Sequence, residues 1–328
     1  MADLSDLLYE LHATGGDAVF LAACLVGGLI LSLWLIPLMT DWMVNAAAGL
    51  AGKYLGRSYR TLVINASTNN PELFSMVVAF MIGRLGGVAN PLGSNFANIY
   101  LMYLVAPLWI FVRYTLSGKR EQSRSLSGIL RREKKLVCWH VFVALGLFSL
   151  STLAYYLLMG KLQFSADESL PSTEARPLIL ASGACLVGVV MYLIVEYRLK
   201  QKRPELFENI QDEHHNPSVI QFAAGTLGLI GCCYVLNVAF AVCSDLYGDE
   251  LKGVLGESVF TGLHYFLGAL VTSLPELYVA IANFRRLTSP DLNTALASAS
   301  ASNMTNLAIA GIGFLIAAVM IGMGKTFL

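Results

Sequence analysis

The sequence predicts an all-α integral membrane protein, and three observations carry that prediction. Hydrophobic residues make up 56% of the 328-residue chain and charged residues only 13%, whereas soluble domains have about 25% charged residues. A spanning helix needs about 20 mainly apolar residues. An acid-bearing helix break also occurs twice within the apolar stretches. We identify eight such stretches, at 17–48, 61–83, 89–114, 136–159, 177–197, 219–246, 257–284 and 291–323.

The loops between the predicted spans carry most of their positive charge on one side of the membrane. Alternate loops hold 17 of the 22 lysines and arginines, at 53–60, 113–135, 198–203 and 285–286. Positive residues favour the cytoplasmic side of short loops, so we expect these loops in the cytoplasm and the N-terminus outside. The lipid bilayer is the expected surrounding, and the net charge of zero gives no indication of a nucleic-acid partner.

One segment of the second predicted span returns in the seventh. Residues 68–73 read Thr-Asn-Asn-Pro-Glu-Leu, and residues 272–277 read Thr-Ser-Leu-Pro-Glu-Leu. The span after each copy contains Ser-Asn-x-x-Asn, at 94–98 and again at 302–306. The two copies lie an odd number of spans apart and therefore have opposite orientations in the membrane. The sequence thus predicts an inverted repeat.

The residue types in the two copies suit the binding of a cation. Pro71 and Pro275 lack an amide hydrogen and free nearby carbonyls, which a membrane protein tolerates only where the backbone is buried or lines a cavity. Glu72 and Glu276 supply charge, and a charged side chain within a span costs at least about 2.5–3.5 kcal/mol. Oxygen atoms four residues apart on one helix face complete the predicted cage, from Ser94, Asn98, Ser302 and Asn306.

Each part of this motif also has a purely structural interpretation. A single Pro-Glu pair in a span is often a kink whose glutamate shares a proton. Serine and asparagine often join membrane helices through hydrogen bonds. The ordered duplication of all the parts favours the functional interpretation.

With these motifs the chain resembles the Ca²⁺/cation antiporter superfamily, in particular its sodium/calcium exchanger branch, over about 35–115 and 225–315. Each half of that family carries a Gly-Thr-Ser-x-Pro-Glu break and a later Gly-Ser-Asn-x-x-Asn or Asp segment. The resemblance implies an inverted-repeat antiporter fold, in which ten helices are usual. It also implies alternating access, with the long first and sixth spans sliding across the repeats.

The resemblance implies the ligands of the transported ions as well. A central Ca²⁺ site takes the carboxylates of Glu72 and Glu276 and the carbonyls of Thr68 and Thr272, with Asn98 and Asn306 beside it. An outward sodium site takes Glu72, Ser94, Ser273, Thr272 and the carbonyl of Ala269. An inward sodium site takes Glu276, Ser302, Thr68, Asn69 and the carbonyl of Asn65.

The chain departs from the family pattern in three ways. Asn69 stands where the family has serine and Asn65 where it usually has a small residue, which bears on the inward sodium site. Asn306 stands where many members have aspartate. The second half also lacks counterparts of spans four and five. Either a second protomer completes it in a homo-oligomer, or the chain is naturally short or truncated.

The repeat sets the predicted organisation of the chain. Residues 1–115 form the first half, and 116–200 hold spans four and five with a basic cytoplasmic loop. Residues 201–218 are a hydrophilic linker, and 219–328 form the second half.

These observations predict a secondary transporter, without a resident cofactor, that exchanges Ca²⁺ for Na⁺. A close alternative uses H⁺, since two intramembrane glutamates can cycle protons. A cation channel and a non-transporting scaffold also stay open, although the aquaporin-like Asn90-Pro91 has no second copy at the matching place. An enzyme is not expected, because no nucleophile–base set is visible and His264 is interpreted as a core or pore-lining residue.

Overall fold

The computed structural model describes residues 4–54, 67, 69–81, 85–158, 175–206, 217–255, 269 and 273–323. Every regular element in these ranges is helical. The longer helices of the first half are α1 Leu4–Ile30, α2 Ile36–Tyr54, α3 Asn70–Met81, α4 Ala89–Asn98 and α5 Ala106–Leu116. They are followed by α6 Arg120–Arg132, α7 Lys134–Leu158, α8 Ala175–Lys202, α9 Val219–Leu255, α10 Leu274–Phe284 and α11 Ser289–Gly322.

Six helical segments of the described chain are long and apolar enough to cross a membrane. They are Leu4–Tyr54, Asn90–Leu116, Lys134–Leu157, Ala175–Lys202, Val219–Leu251 and Asp291–Gly322. Each overlaps one of the stretches predicted from the sequence. The prediction of an all-α, multi-pass integral membrane protein is therefore confirmed.

The other two predicted spans, 61–83 and 257–284, lie partly outside the described residues. Their described parts are α3 and α10, which carry the two Pro-Glu pairs. The count of eight spans, the opposite orientation of the two copies and the domain limits therefore stay predictions.

The first spanning segment begins at a break in the backbone. Gly16 has a φ of 70° within α1, a conformation that glycine adopts without the steric cost that other residues meet. An unbroken helix over the 51 residues from Leu4 to Tyr54 would be about 75 Å long, far more than the roughly 30 Å hydrocarbon core. The break separates the first turns from the apolar stretch that begins at residue 17.

Two groups of helices surround the starts of α3 and α10. Helix α2 packs along α9, and α3 packs against both α9 and α4. Helix α11 packs against α8, α7, α4 and α10, while α10 also contacts α5. Large apolar side chains on the outside, such as Leu25, Trp34 and Phe142, are exposed, as expected of a surface that faces lipid.

A close backbone contact between helices of this framework is made by Gly225 of α9. A Cβ atom at this position would lie 2.8 Å from both the carbonyl oxygen of Met39 and the amide nitrogen of Met43. Backbone atoms cannot rotate away, so only glycine allows α9 to approach α2 this closely.

We therefore expect Gly225→Ala to lower the free energy of unfolding by about 1–3 kcal/mol, because the added methyl forces the two helices apart. Gly231→Ala in the same helix is the matched control, since its Cβ would meet no heavy atom of a neighbouring group within 4 Å. Thermal unfolding of the purified variants in detergent measures the difference. Equal stability of the two variants would contradict the close contact.

Candidate ion-binding site

Helices α3 and α10 begin in the same way. Pro71 is the second residue of α3, and Pro275 holds the same place in α10. Proline is tolerated there because the first amides of a helix have no partner within it. Each helix carries a glutamate in its first turn, Glu72 or Glu276, where the helix dipole stabilises negative charge by about 0.3–1 kcal/mol.

The backbone at the two helix starts is also alike. The amide of Leu73 donates to the carbonyl of Asn69 at 3.2 Å, and the amide of Leu277 donates to the carbonyl of Ser273 at the same distance. Asn69 and Ser273 thus occupy equivalent positions, one residue before each helix. Their side chains differ in hydrogen-bonding chemistry, because an amide oxygen only accepts whereas a hydroxyl both donates and accepts.

The two glutamates are buried at adjoining helix starts. The exposed fraction of Glu72 is 0% and that of Glu276 is 3%. Ser94 links their helix starts, because its hydroxyl contacts both Glu72 and Ser273, which lies three residues before Glu276. A buried pair of like charges is costly unless a cation, a proton or hydrogen-bond donors compensate it.

Around Glu72, the compensation comes from serine hydroxyls. Ser94 of α4 donates its hydrogen to Oε1 of Glu72 at 2.7 Å. The Oγ atoms of Ser94 and Ser273 are also 2.7 Å apart. A hydroxyl has one hydrogen, so Ser273 is the donor in this second bond. The result is a run of hydroxyls from Ser273 through Ser94 that ends on a carboxylate.

At Ser302, in the second copy of the motif, the corresponding run of hydrogen bonds ends on the amide oxygen of Asn69. Nδ2 of Asn98 donates to Oγ of Ser302 at 2.9 Å and to Oδ1 of Asn303 at 3.0 Å. Ser302 passes its own hydrogen to Oδ1 of Asn69 at 2.7 Å. The single hydrogen of Ser302 is therefore used on Asn69 and is not donated to Glu276.

These contacts join the two copies of the motif reciprocally. The serine of the first copy, Ser94, contacts Ser273 of the second. The serine of the second copy, Ser302, contacts Asn69 of the first. Each copy thus contributes to the surroundings of the other helix start, even though α4 and α11 are distant from each other in the sequence.

Several polar atoms near the start of α10, along α11 and at the end of α4 are buried without such support. Neither carboxylate oxygen of Glu276 accepts a hydrogen bond from another residue within the described ranges. Both amide atoms of Asn306, Oδ1 of Asn98 and Nδ2 of Asn303 also lack partners there. Buried polar groups are normally paired, and each exception needs a physical explanation. Carboxylate and amide oxygens are the atoms that a hard cation takes as ligands.

The structure brings most of the predicted site residues together. Ser94 and Ser273 meet at Glu72, while Asn69 and Asn98 meet at Ser302. The carbonyl of Ala269 accepts the amide hydrogen of Ser273 at 3.0 Å. Three predicted site residues, Asn65, Thr68 and Thr272, lie outside the described part of the chain, and so does His264, which is predicted to be a core or pore-lining residue.

Sequence reasoning missed the participation of Asn303. It is the second residue of the second Ser-Asn-x-x-Asn segment, and it accepts from Asn98. The equivalent residue of the first segment, Asn95, donates instead to Ser151 of α7 at 2.8 Å. The motif itself is the signal for both residues, but only the positions of the neighbouring helices distinguish their roles.

Comparison with known proteins places this site in a family context. A family model described as sodium/calcium exchanger protein matches residues 24–205, which is more than half of the 328-residue chain. The matched segment contains the first Pro-Glu break and the first Ser-Asn-x-x-Asn segment. A search of curated proteins and a search of solved structures each returned no significant match.

The hydroxyl contact between the two copies is testable by a double-mutant cycle. We expect Ser94→Ala and Ser273→Ala to be non-additive, with a coupling energy of about 0.5–1.5 kcal/mol, because both remove the same hydrogen bond. Chemical unfolding in mixed micelles measures the free energies.

The control cycle combines Ser94→Ala with Asn237→Ser. Asn237 donates to Ser75 at 3.1 Å, a bond that shares no partner with Ser94, so we expect these two changes to add within about 0.5 kcal/mol. Additivity in both cycles would show that Ser94 and Ser273 do not interact.

Proposed function

This chain belongs to the sodium/calcium exchanger protein family, and from that premise we propose that it exchanges Ca²⁺ for Na⁺ by alternating access. As a member of that family it is a multi-pass membrane transporter of the cation exchanger type. The identity of the two ions and their coupling are the parts that we propose.

The observation that carries the proposal is the burial of Glu72 and Glu276 at two helix starts that Ser94 and Ser273 join. Two carboxylates neutralise one divalent cation. Ca²⁺ takes six to eight oxygen ligands, and the side-chain oxygens of Asn98 and Asn306 lack protein partners within the described chain. We propose these four side chains as Ca²⁺ ligands, with the carbonyls of Thr68 and Thr272.

Exchange follows from competition for the same two glutamates. We propose that sodium binds on the outward side at Glu72, Ser94, Ser273, Thr272 and the carbonyl of Ala269. The inward side offers Glu276, Ser302, Thr68, Asn69 and the carbonyl of Asn65. Because either sodium position needs a glutamate that Ca²⁺ also needs, one ion leaves before the other binds. Movement between loaded states then couples the two fluxes.

Coupling to H⁺ is the second candidate, and one observation favours it. Neither carboxylate oxygen of Glu276 accepts a hydrogen bond from another described residue. A proton would neutralise this buried charge as a metal cation does. In this second candidate, the protein would exchange H⁺ for Ca²⁺.

We also propose that the basic loops face the cytoplasm. Helix α6 lies in one of them and exposes Arg120, Arg124 and Arg131, while it buries Leu126 and Ile129. This division suits a helix that lies on the inner surface of the bilayer beside anionic headgroups.

Counter-ion-dependent flux tests the proposed function. We expect purified protein in sealed liposomes to take up ⁴⁵Ca²⁺ when an outward-directed sodium gradient is imposed, because the gradient drives sodium off the shared glutamates. A proton gradient without sodium is the comparison. Uptake that responds only to the proton gradient would replace sodium by H⁺, and flux that persists without any counter-ion would indicate a channel.

We expect Glu72→Gln and Glu276→Gln each to abolish exchange without unfolding the protein. Glutamine keeps the shape of the side chain but removes one of the two charges that balance Ca²⁺. Thermal unfolding with and without Ca²⁺ provides a readout that does not need transport, since a ligand that binds only the folded state stabilises it. Asn237→Ser is the control, and we expect Ca²⁺ to stabilise it as it does the wild type. Wild-type transport by both glutamine variants would refute the site.

A further inference from the structure

The two halves of the site differ at the position just before each helix. Ser273 precedes α10, whereas Asn69 precedes α3. Each side chain contacts the serine of the opposite copy at 2.7 Å. This difference in residue type changes which atoms accept the hydroxyl hydrogens of Ser94 and Ser302. It therefore also changes how well each half can bind a cation.

We propose, in an inference that rests on the proposed function, that Asn69 gives the two halves of the site different affinities for sodium. Sodium binds at Glu72, Ser94 and Ser273, and the half that contains Glu276, Ser302 and Asn69 binds it much more weakly. Asn69 is thereby a specificity-determining residue that sets how many sodium ions compete with one Ca²⁺.

The Glu72 half can turn its oxygen atoms toward a cation easily. Ser94 and Ser273 are both hydroxyls, and a hydroxyl hydrogen rotates about the Cβ–Oγ bond to suit its surroundings. Within α4, Ser94 can pass its hydrogen to the carbonyl four residues earlier. Its oxygen and the carboxylate of Glu72 then present lone pairs to one small cation, and the hydroxyl of Ser273 can rotate to do the same.

The Glu276 half lacks this freedom. Oγ of Ser302 accepts from Asn98 and donates to Asn69, so amides occupy it on both sides. The hydrogens of an amide lie in a fixed plane and cannot turn away unless the oxygen moves as well. A cation at Ser302 would therefore separate Asn98 from its acceptor, and one lost hydrogen bond corresponds to about tenfold weaker binding.

The experiment removes the difference by Asn69→Ser. The variant restores a hydroxyl at the position equivalent to Ser273, so Ser302 can donate to Glu276 as Ser94 does to Glu72. Equilibrium binding of ⁴⁵Ca²⁺ to purified protein, displaced by increasing Na⁺, reports the number of competing sodium ions without transport. The displacement slope is that of the apparent Ca²⁺ dissociation constant against Na⁺ concentration on logarithmic axes. By linkage we expect it to rise from about 1 in the wild type to about 2 in Asn69→Ser.

Ser273→Asn makes the opposite change, and we expect Na⁺ to displace Ca²⁺ about tenfold less effectively in this variant. Asn237→Ser is the matched control, since it makes the same asparagine-to-serine change and removes a hydrogen bond to Ser75 outside the site. We expect it to behave as the wild type. Asn69→Thr supplies a hydroxyl at the same position if Asn69→Ser does not fold.

The outcomes separate this inference from the proposed function. A wild-type protein that binds no Ca²⁺, or whose Ca²⁺ is not displaced by Na⁺, overturns both. Normal Ca²⁺ binding with an unchanged displacement slope in Asn69→Ser overturns the role of Asn69 alone. A slope of about 2 already in the wild type does the same, because by linkage it means that both halves bind sodium.

Discussion

The burial of two carboxyl groups at adjoining helix starts is the constraint around which this molecule is organised. Glu72 and Glu276 lie in the protein interior at starts that Ser94 and Ser273 join, and the low effective dielectric there makes electrostatic interactions stronger than in water. The first turns of α3 and α10 supply favourable dipoles, and Ser94 supplies a hydrogen bond on one side only. On the proposed function, a bound cation balances the charge that these groups leave uncompensated.

The apolar framework holds these polar groups in place. Clusters of buried side chains join α2 to α9 on one side, and α11 to α8 on the other. The polar contacts between the copies lie where these groups of helices meet. Hydrogen bonds between membrane helices are individually modest, at about 0.6 kcal/mol on average. Most of the packing energy therefore comes from the apolar clusters, while the serine and asparagine contacts determine which polar atoms face the glutamates.

The asymmetry of the site comes from one residue type rather than from a different backbone. The starts of α3 and α10 share their proline, their glutamate and their first backbone hydrogen bond. Asn69 and Ser273 then direct the hydrogens of Ser302 and Ser94 differently. The two copies of a repeat can thus share one backbone arrangement and still carry different hydrogen-bonding side chains.

How much of this could be predicted depends on whether a feature is local. Hydropathy and span length predict the membrane helices because each must satisfy its own backbone within the bilayer, and the long described helices confirm this. The duplicated Pro-Glu and Ser-Asn-x-x-Asn segments indicate the candidate residues, since helix starts and helix faces depend on neighbours in the sequence. The hydrogen-bond partner of each serine and asparagine side chain was not predictable from the sequence. Asn95 and Asn303 are equivalent in the motif, yet they contact Ser151 and Asn98.

The sequence by itself determined the solvent, the helices and the paired acidic motif, because these follow from composition and from spacing along one helix. Only the tertiary structure decided that Ser94 supports Glu72 while Ser302 is bound to Asn69. A hydroxyl has one hydrogen to donate, and which acceptor receives it depends on helices that are far apart in the chain.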